Sequence, residues 1–272
     1  MSIVDLRLTL SWASDEGWNP GLDDTEPFLA ADPPGFLMSR LDEEPAVSIA
    51  AAYGDAFGFI GLFICWPDLR GHAVGASLVR AALERLSDRP AGINGVLARV
   101  ANYERLGFVQ AHQNTRYRGS IEPTTLPDPR VRIIDAGLAP IVAAFDAKMF
   151  GCERSDFIPA WLTPTPTRSG IALVEDGEVT GFEVVRDCAY GHKIGPLFAS
   201  SVGEADSILG SLAATRPGGT FFLDVPAPNR DGLMLAEGQG MSAVFETARM
   251  YRGGEWNLPL ERTFGVTTFE LG

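Results

Sequence analysis

Six consecutive residues, Arg70, Gly71, His72, Ala73, Val74 and Gly75, join an apolar run at 57–66 (FGFIGLFICW) to a stretch with helical periodicity. A strand that hands the chain to a short glycine loop and then to a helix N-terminus is an anion-binding device. The loop turns backbone N–H groups toward one point, and the helix dipole adds roughly half a positive charge there. The chemistry expected of this stretch is to hold the pyrophosphate of a nucleotide-like cofactor. His72 can donate to a phosphate or stand as a surface histidine. Cys65, just before the loop, is a strand cysteine without a basic neighbour, which makes it a poor nucleophile and a packing residue.

The elements that would position this loop are legible on either side of it. Gly58 and Gly61 weaken the apolar run as a plain strand and suggest a bulge, or the close approach of another chain or ligand. After the loop, Val74, Leu78, Ala82 and Leu86 share one helical face, while Arg80 and Glu84 lie on another. The stretch 93–100 begins as a strand, 103–108 (YERLGF) is a short helix stopped by Gly107, and 109–120 is a strand. Before the run, a turn cluster around Trp18, Asn19, Pro20 and Gly21 leads through Asp23 and Asp24 to a helix over 25–31. Strands follow at 36–41 and 46–54.

Three prolines in 121–130 and no apolar periodicity mark a linker. The expected division is a first domain at 1–122, a linker at 123–130 and a second domain at 131–272. The second half offers helices at 138–151 and 154–163, and a hairpin across 171–188 turning at Asp176 and Gly177. Then come 191–199 (GHKIGPLFA), a helix over 204–213, a strand at 220–226, a short helix at 232–238 and a final strand at 266–271. Both halves run helices, hairpin, strand, loop, helix, strand, short helix, strand. That shared order predicts a duplicated α/β fold built on mixed sheets.

Composition narrows the function classes. The chain of 272 residues is 46% hydrophobic and 21% charged, with no apolar stretch of membrane-spanning length. A net charge of −13 argues against nucleic acid, whose phosphates need a basic surface, and is compatible with a cationic substrate or with simple solubility. Cys65, Cys152 and Cys188 are odd in number and scattered, so neither disulfides nor a metal site is expected. A basic n-region and cleavage site are missing from the first residues, and a cytoplasmic protein is the expectation.

The order of LRGHAVGASLVRAALERL and YERLGF resembles the GCN5-related N-acetyltransferase (GNAT) superfamily. The family's Arg/Gln-x-x-Gly-x-Gly/Ala loop matches at Arg70 to Gly75 with Ala73 as the one departure, and its Tyr-x-x-x-Gly-Phe signature is intact from Tyr103 to Phe108. The resemblance implies acetyl-CoA in a splayed cleft: the backbone of Phe63, Ile64 and Cys65 would pair with the pantetheine arm. Arg70, Gly71, His72, Ala73, Val74, Gly75 and Ala76 would hold the pyrophosphate. It also implies that Tyr103 protonates the departing thiolate, a task suited to a phenol whose pKa lies near that of a thiol; a packed aromatic is the plain alternative.

The fragments GWNPGLDD, GHKIGPLFA, FLDVP, ETARMYRG and FGVTTFELG extend the resemblance to tandem-domain members, including aminoglycoside 2′-N-acetyltransferases that act on kasugamycin-like antibiotics. Gly195, Pro196, Leu197 and Phe198 take the loop position of the second half, where proline removes an N–H, so that domain is expected to be degenerate in its CoA loop. The expected acceptor is a cationic small-molecule amine such as an aminoglycoside, held by Trp18, Asn19 and Asp24, with Asp24 as ammonium ligand, base or ordinary helix cap. A peptide acceptor, another small amine, or a CoA-responsive module without turnover stay open, as does a homodimer.

Overall fold

The computed structural model describes residues 1–41, 43–52, 54–70, 74–123 and 128–272, with the side chains of Ala51, Ala52 and Val74 excepted. Gly71, His72 and Ala73 of the loop and 124–127 of the linker lie outside the described residues.

The first half opens with helix α1 (Ile3–Asp15), whose start is fixed by a reciprocal cap between Ser2 and Asp5. The reading from sequence passed over this helix, although Ser-x-x-Asp is its signature. Then follow α2 (Thr25–Ala31), the strands β1 (Phe36–Leu41), β2 (Glu44–Ala52) and β3 (Gly58–Cys65), helix α3 (Val74–Arg85), β4 (Ala91–Val96), α4 (Val100–Arg105) and β5 (Val109–Gly119). Gly107, at φ 87°, takes the left-handed position that ends α4.

The second half begins with β6 (Val131–Ile133) and then repeats the order. Helices α5 (Ala139–Phe150) and α6 (Phe157–Leu162) precede strands β7 (Arg168–Glu175), β8 (Glu178–Asp187) and β9 (His192–Ala199). Helix α7 (Val202–Ala213), β10 (Phe221–Pro226), α8 (Arg230–Gly238), β11 (Ser242–Arg252) and β12 (Thr263–Gly265) complete it. Asp176 and Gly177 both adopt positive φ, the hairpin geometry their pairing predicts.

One sheet runs through both halves, in the order β1-β2-β3-β4-β11-β5-β10-β9-β8-β7-β6. Matching β1 through β5 with β7 through β11 makes this order symmetric about its centre, where β11 and β5 pair antiparallel. The halves have exchanged their last strands: β11 lies between β4 and β5, and β5 lies between β11 and β10. The exchange was not legible in the sequence, where 242–252 was not read as a strand. Apolar residues of α1, α2, α5 and α6 share one core cluster, with Phe28 stacked on Trp161. Residues of α3 pack in a second, and residues of α7 and α8 in a third.

Two readings need correction. Gly195, Pro196, Leu197 and Phe198 do not form a loop; they lie within β9. The register across β8 slips between Glu183–Leu197 and Val185–Ile194, so Gly195 and Pro196 form a bulge there. The stretch 266–271 is not a strand either. It closes on itself through hydrogen bonds between Thr268 and Gly272, and from Leu271 N–H to the Thr268 hydroxyl. No described helix is long and apolar enough to cross a membrane.

Candidate active site

The site begins where two parallel strands part. Gly58, Phe59 and Ile60 of β3 face Ala91, Gly92 and Ile93 of β4, and the pairing stops there although both strands continue. On its other side β3 slips register against β2, from Ser48–Ile64 to Ala50–Gly61. Leu62 and Phe63 therefore bulge opposite Ile49, with Leu62 at φ 52°, left-handed for a residue that has a side chain. A bulge re-aims backbone N–H groups away from the ladder, and beyond the fork the facing edges of β3 and β4 do not pair with each other. A cavity of about 930 Å³ opens from this fork, between β3 and α3 on one side and β4 and α4 on the other.

Phe63, Ile64, Cys65, Arg70, Gly75, Ala76 and Tyr103 all line this cavity, so the two motifs found apart in the sequence meet in space. Four arginines, Arg70, Arg80, Arg99 and Arg105, line it as well. Arg70 donates through Nε to the Cys65 carbonyl (3.0 Å) and pairs with Glu16. Arg105 donates to the Asn102 amide oxygen. Arg80 and Arg99 make no ion pair among the described residues. In a chain of net charge −13, an arginine-lined cavity is a local reversal of field suited to an anionic ligand. The donor set fits a phosphorylated, amide-bearing cofactor: cations for phosphates, strand edges for amides.

Tyr103 packs its ring over Gly95, where a Cβ would stand 2.7 Å from the ring. Burial pushes its hydroxyl above the ordinary phenol range, so it holds its proton through neutral pH. Burial also raises the Cys65 thiol, which lowers its thiolate fraction and makes it a poorer nucleophile.

Parts distant in the chain also line the cavity. Trp18 lies there together with Arg116 of β5, Phe245 and Thr247 of β11, and Phe269 and Glu270 of the closing segment. Arg116 is clamped by both oxygens of Asp224 (2.6 and 2.7 Å), and its guanidinium lies 4.6 Å from the centre of the Phe269 ring. Asp224 of β10 is thus the counter-ion of Arg116. Sequence reasoning missed Phe245, Thr247, Phe269 and Glu270. The only signal for the last two was the ending FGVTTFELG.

Of the predicted acceptor residues, the structure brings only Trp18 to the cavity lining. Asn19 turns at φ 53° and exchanges hydrogen bonds with the backbone of Tyr190. Asp24 is buried, accepts from Gly21 N–H and pairs with Arg186 at 2.5 Å, under the stacked ring of Trp161. Its side chain makes no helix-cap hydrogen bond. Asp23 accepts from Thr165 and Thr167. The acidic turn ties the N-terminal segment to the second half and is spent on that task.

The second half repeats the fork but fills it. His192, Lys193 and Ile194 of β9 face Phe221, Phe222 and Leu223 of β10, and there the pairing ends. β12 then pairs with β9 through Phe198 and Leu197, and Val266 N–H donates to Asp224 O of β10 at 2.9 Å. A Cβ on Gly195 would overlap the Thr267 carbonyl, so the closing segment lies directly on the bulge. The link from β9 to α7 is only Ser200 and Ser201. Ser201 caps Glu204 N–H, and the Glu204 carboxylate accepts from Ser200 N–H where an anion would otherwise sit.

The comparisons agree with this architecture. Residues 142–265 match the family model described as an acetyltransferase (GNAT) domain. Holothin acyltransferase of Pseudoalteromonas sp. (strain SANK 73390) is 27% identical over 273 residues, spanning 100% of this chain and 92% of that protein. A solved structure from Pyrococcus horikoshii, described as a candidate acetyltransferase, superposes with a TM-score of 0.83 at 21% identity, covering 100% of this chain and 94% of that one. A tandem GNAT protein from the clavulanic acid biosynthesis pathway superposes with a TM-score of 0.62 at 12% identity, over 94% and 96% of the two chains. Residues 142–265 thus match a GNAT domain, and the chain as a whole shares the fold of a tandem GNAT protein.

Proposed function

We propose that this protein transfers an acetyl group from acetyl-CoA to a primary amine of a small molecule, by direct attack in a ternary complex. The observation that carries the reading is the open fork of β3 and β4, leading into an arginine-lined cavity in an otherwise acidic chain. When bound, acetyl-CoA supplies an activated acyl thioester. The backbone of Phe63, Ile64 and Cys65 takes the pantetheine amides. Arg70, Val74, Gly75 and Ala76, with Gly71, His72 and Ala73 of the same loop, hold the pyrophosphate, and Arg80 and Arg99 add charge. Backbone N–H groups at the Leu62 bulge polarise the acyl carbonyl. Tyr103 gives its phenolic proton to the departing sulfur. The second domain takes no CoA: its fork is filled by the closing segment, and its helix N-terminus is met by Glu204.

Trp18, Phe245 and Phe269 favour an acceptor with a flat, apolar body carrying one amine. A polycationic aminoglycoside has less support, because Asp23 and Asp24 are engaged elsewhere and Glu16 pairs with Arg70. Location in the cytoplasm accords with three free cysteines. The test is an acceptor panel of holothin, aromatic amines, kasugamycin, other aminoglycosides, polyamines and peptides, scored by release of free CoA thiol. We expect turnover with the flat amines, falling about 10–100-fold in Tyr103→Phe. Exclusive turnover of peptides or aminoglycosides contradicts the acceptor reading, and acetyl-CoA binding without turnover of any amine indicates a CoA-responsive module.

A further inference from the structure

Glu270 is the carboxylate of the cavity lining with no role in the chemistry above. Among the described lining residues, the carboxylates are Glu16 and Glu270. Glu16 is at the end of α1, with its side chain 35% exposed and paired to Arg70. Glu270 is 3% exposed and lies at the fork itself: its carbonyl sits where a Cβ on Gly61 would be, and the neighbouring Phe269 carbonyl accepts from Asn94 Nδ2 of β4 at 3.2 Å. The segment that carries it is rigidly held. Leu271 is fully buried, Arg154 donates to the Thr267 hydroxyl (3.1 Å), and Asn114 fixes Asn94 (3.0 Å). The charged groups facing Glu270 are Lys193 of β9, 3.9 Å away, and Arg116 of β5, whose charge Asp224 of β10 already meets. Lys193 spends its short hydrogen bond on the Trp18 carbonyl at 2.7 Å. At 3.9 Å it stands beside the carboxylate without donating a hydrogen bond to it.

Resting on the function proposed above, we infer that Glu270, delivered into the first domain's cleft by the closing segment of the second, is the base that takes the proton from the acceptor amine. The nitrogen lone pair forms the C–N bond as the C–S bond breaks. One N–H proton goes to the Glu270 carboxylate, and one proton goes from Tyr103 to sulfur; solvent returns the first to the second, so the balance closes. The exchange of strands then has a chemical consequence, because the domain without a cofactor loop supplies the base for the domain that has one.

The experiment compares wild type, Glu270→Gln and Glu270→Asp, reading kcat, the pH profile of kcat/KM for the amine, and acetyl-CoA affinity by calorimetry. We expect Glu270→Gln to lose at least about 100-fold in kcat and the acidic limb of the profile, with acetyl-CoA affinity within about twofold of wild type. Glu270→Asp should recover part of the rate with the limb restored. Turnover of Glu270→Gln within about threefold of wild type on an unchanged profile overturns the inference. So does parallel loss of acetyl-CoA affinity in both variants, which marks a merely structural carboxylate. A wild type that turns over no amine overturns the proposed function and the inference with it, and so is distinguishable from either result.

Discussion

Glu183, like Glu270, is almost completely buried. Glu183, on β8 beside the bulge of β9, has no hydrogen-bond partner for either oxygen among the described residues. Burial pushes its carboxyl well above the usual range, so the acid form is favoured. In the unfolded chain it ionises above about 4.5. Between that pH and its folded value the native state holds the extra proton, and stability therefore falls as pH rises. Glu183→Gln, which mimics the acid form, is expected to leave thermal stability nearly unchanged at pH 5 and to raise it at pH 8. An equal shift at both pH values contradicts a titrating Glu183. At this scale the sequence misled most where charge was read locally. Asp24 looked available in a turn of acids, and its partner Arg186 is 162 residues away. Tyr103 was legible because a whole motif, and not one residue, pointed to it.

Among the elements, β3 does the most to make a cleft. Its glycines were flagged as signs of a bulge or a close approach, and both occur: the bulge falls at Leu62, and the closing segment lies against Gly61. What the sequence could not say was that the approaching chain is the protein's own. A Cβ at Gly61 would meet the Glu270 backbone, which cannot rotate away as a side chain could. Gly61→Ala is expected to cost about 1–3 kcal/mol in chemical denaturation and to lower turnover as Glu270 is displaced. Full stability and activity in that variant would contradict the packing. Strand β11 escaped notice because its pattern is exposed from Ser242 to Glu246 and then buried from Thr247 onward. A single-period reading does not identify such a strand, and its partners β4 and β5 belong to the other half. The ending VTTFEL has strand propensity, but its register partners are taken by β12 and by the fork.

For the whole molecule, the repeated order of elements was legible and the exchange was not, since it depends on pairings between residues far apart in sequence. The exchange makes one sheet of two domains, with one fork open and one filled. It also explains how an acidic chain carries a cationic cavity: the arginines gather between α3 and α4 of the first domain, and the acids of the N-terminal turn are neutralised inside the contact with the second. The central claim is therefore a single acyl-CoA site, in the first domain. Calorimetric titration with acetyl-CoA tests it most directly, using wild type, Arg80→Ala with Arg99→Ala in the first domain, and Ser201→Ala at the start of α7. The account predicts one site per chain, weakened at least about tenfold by the paired arginine changes and unaffected by the serine change. Two sites per chain, or affinity lost with Ser201 and kept without the arginines, would contradict it.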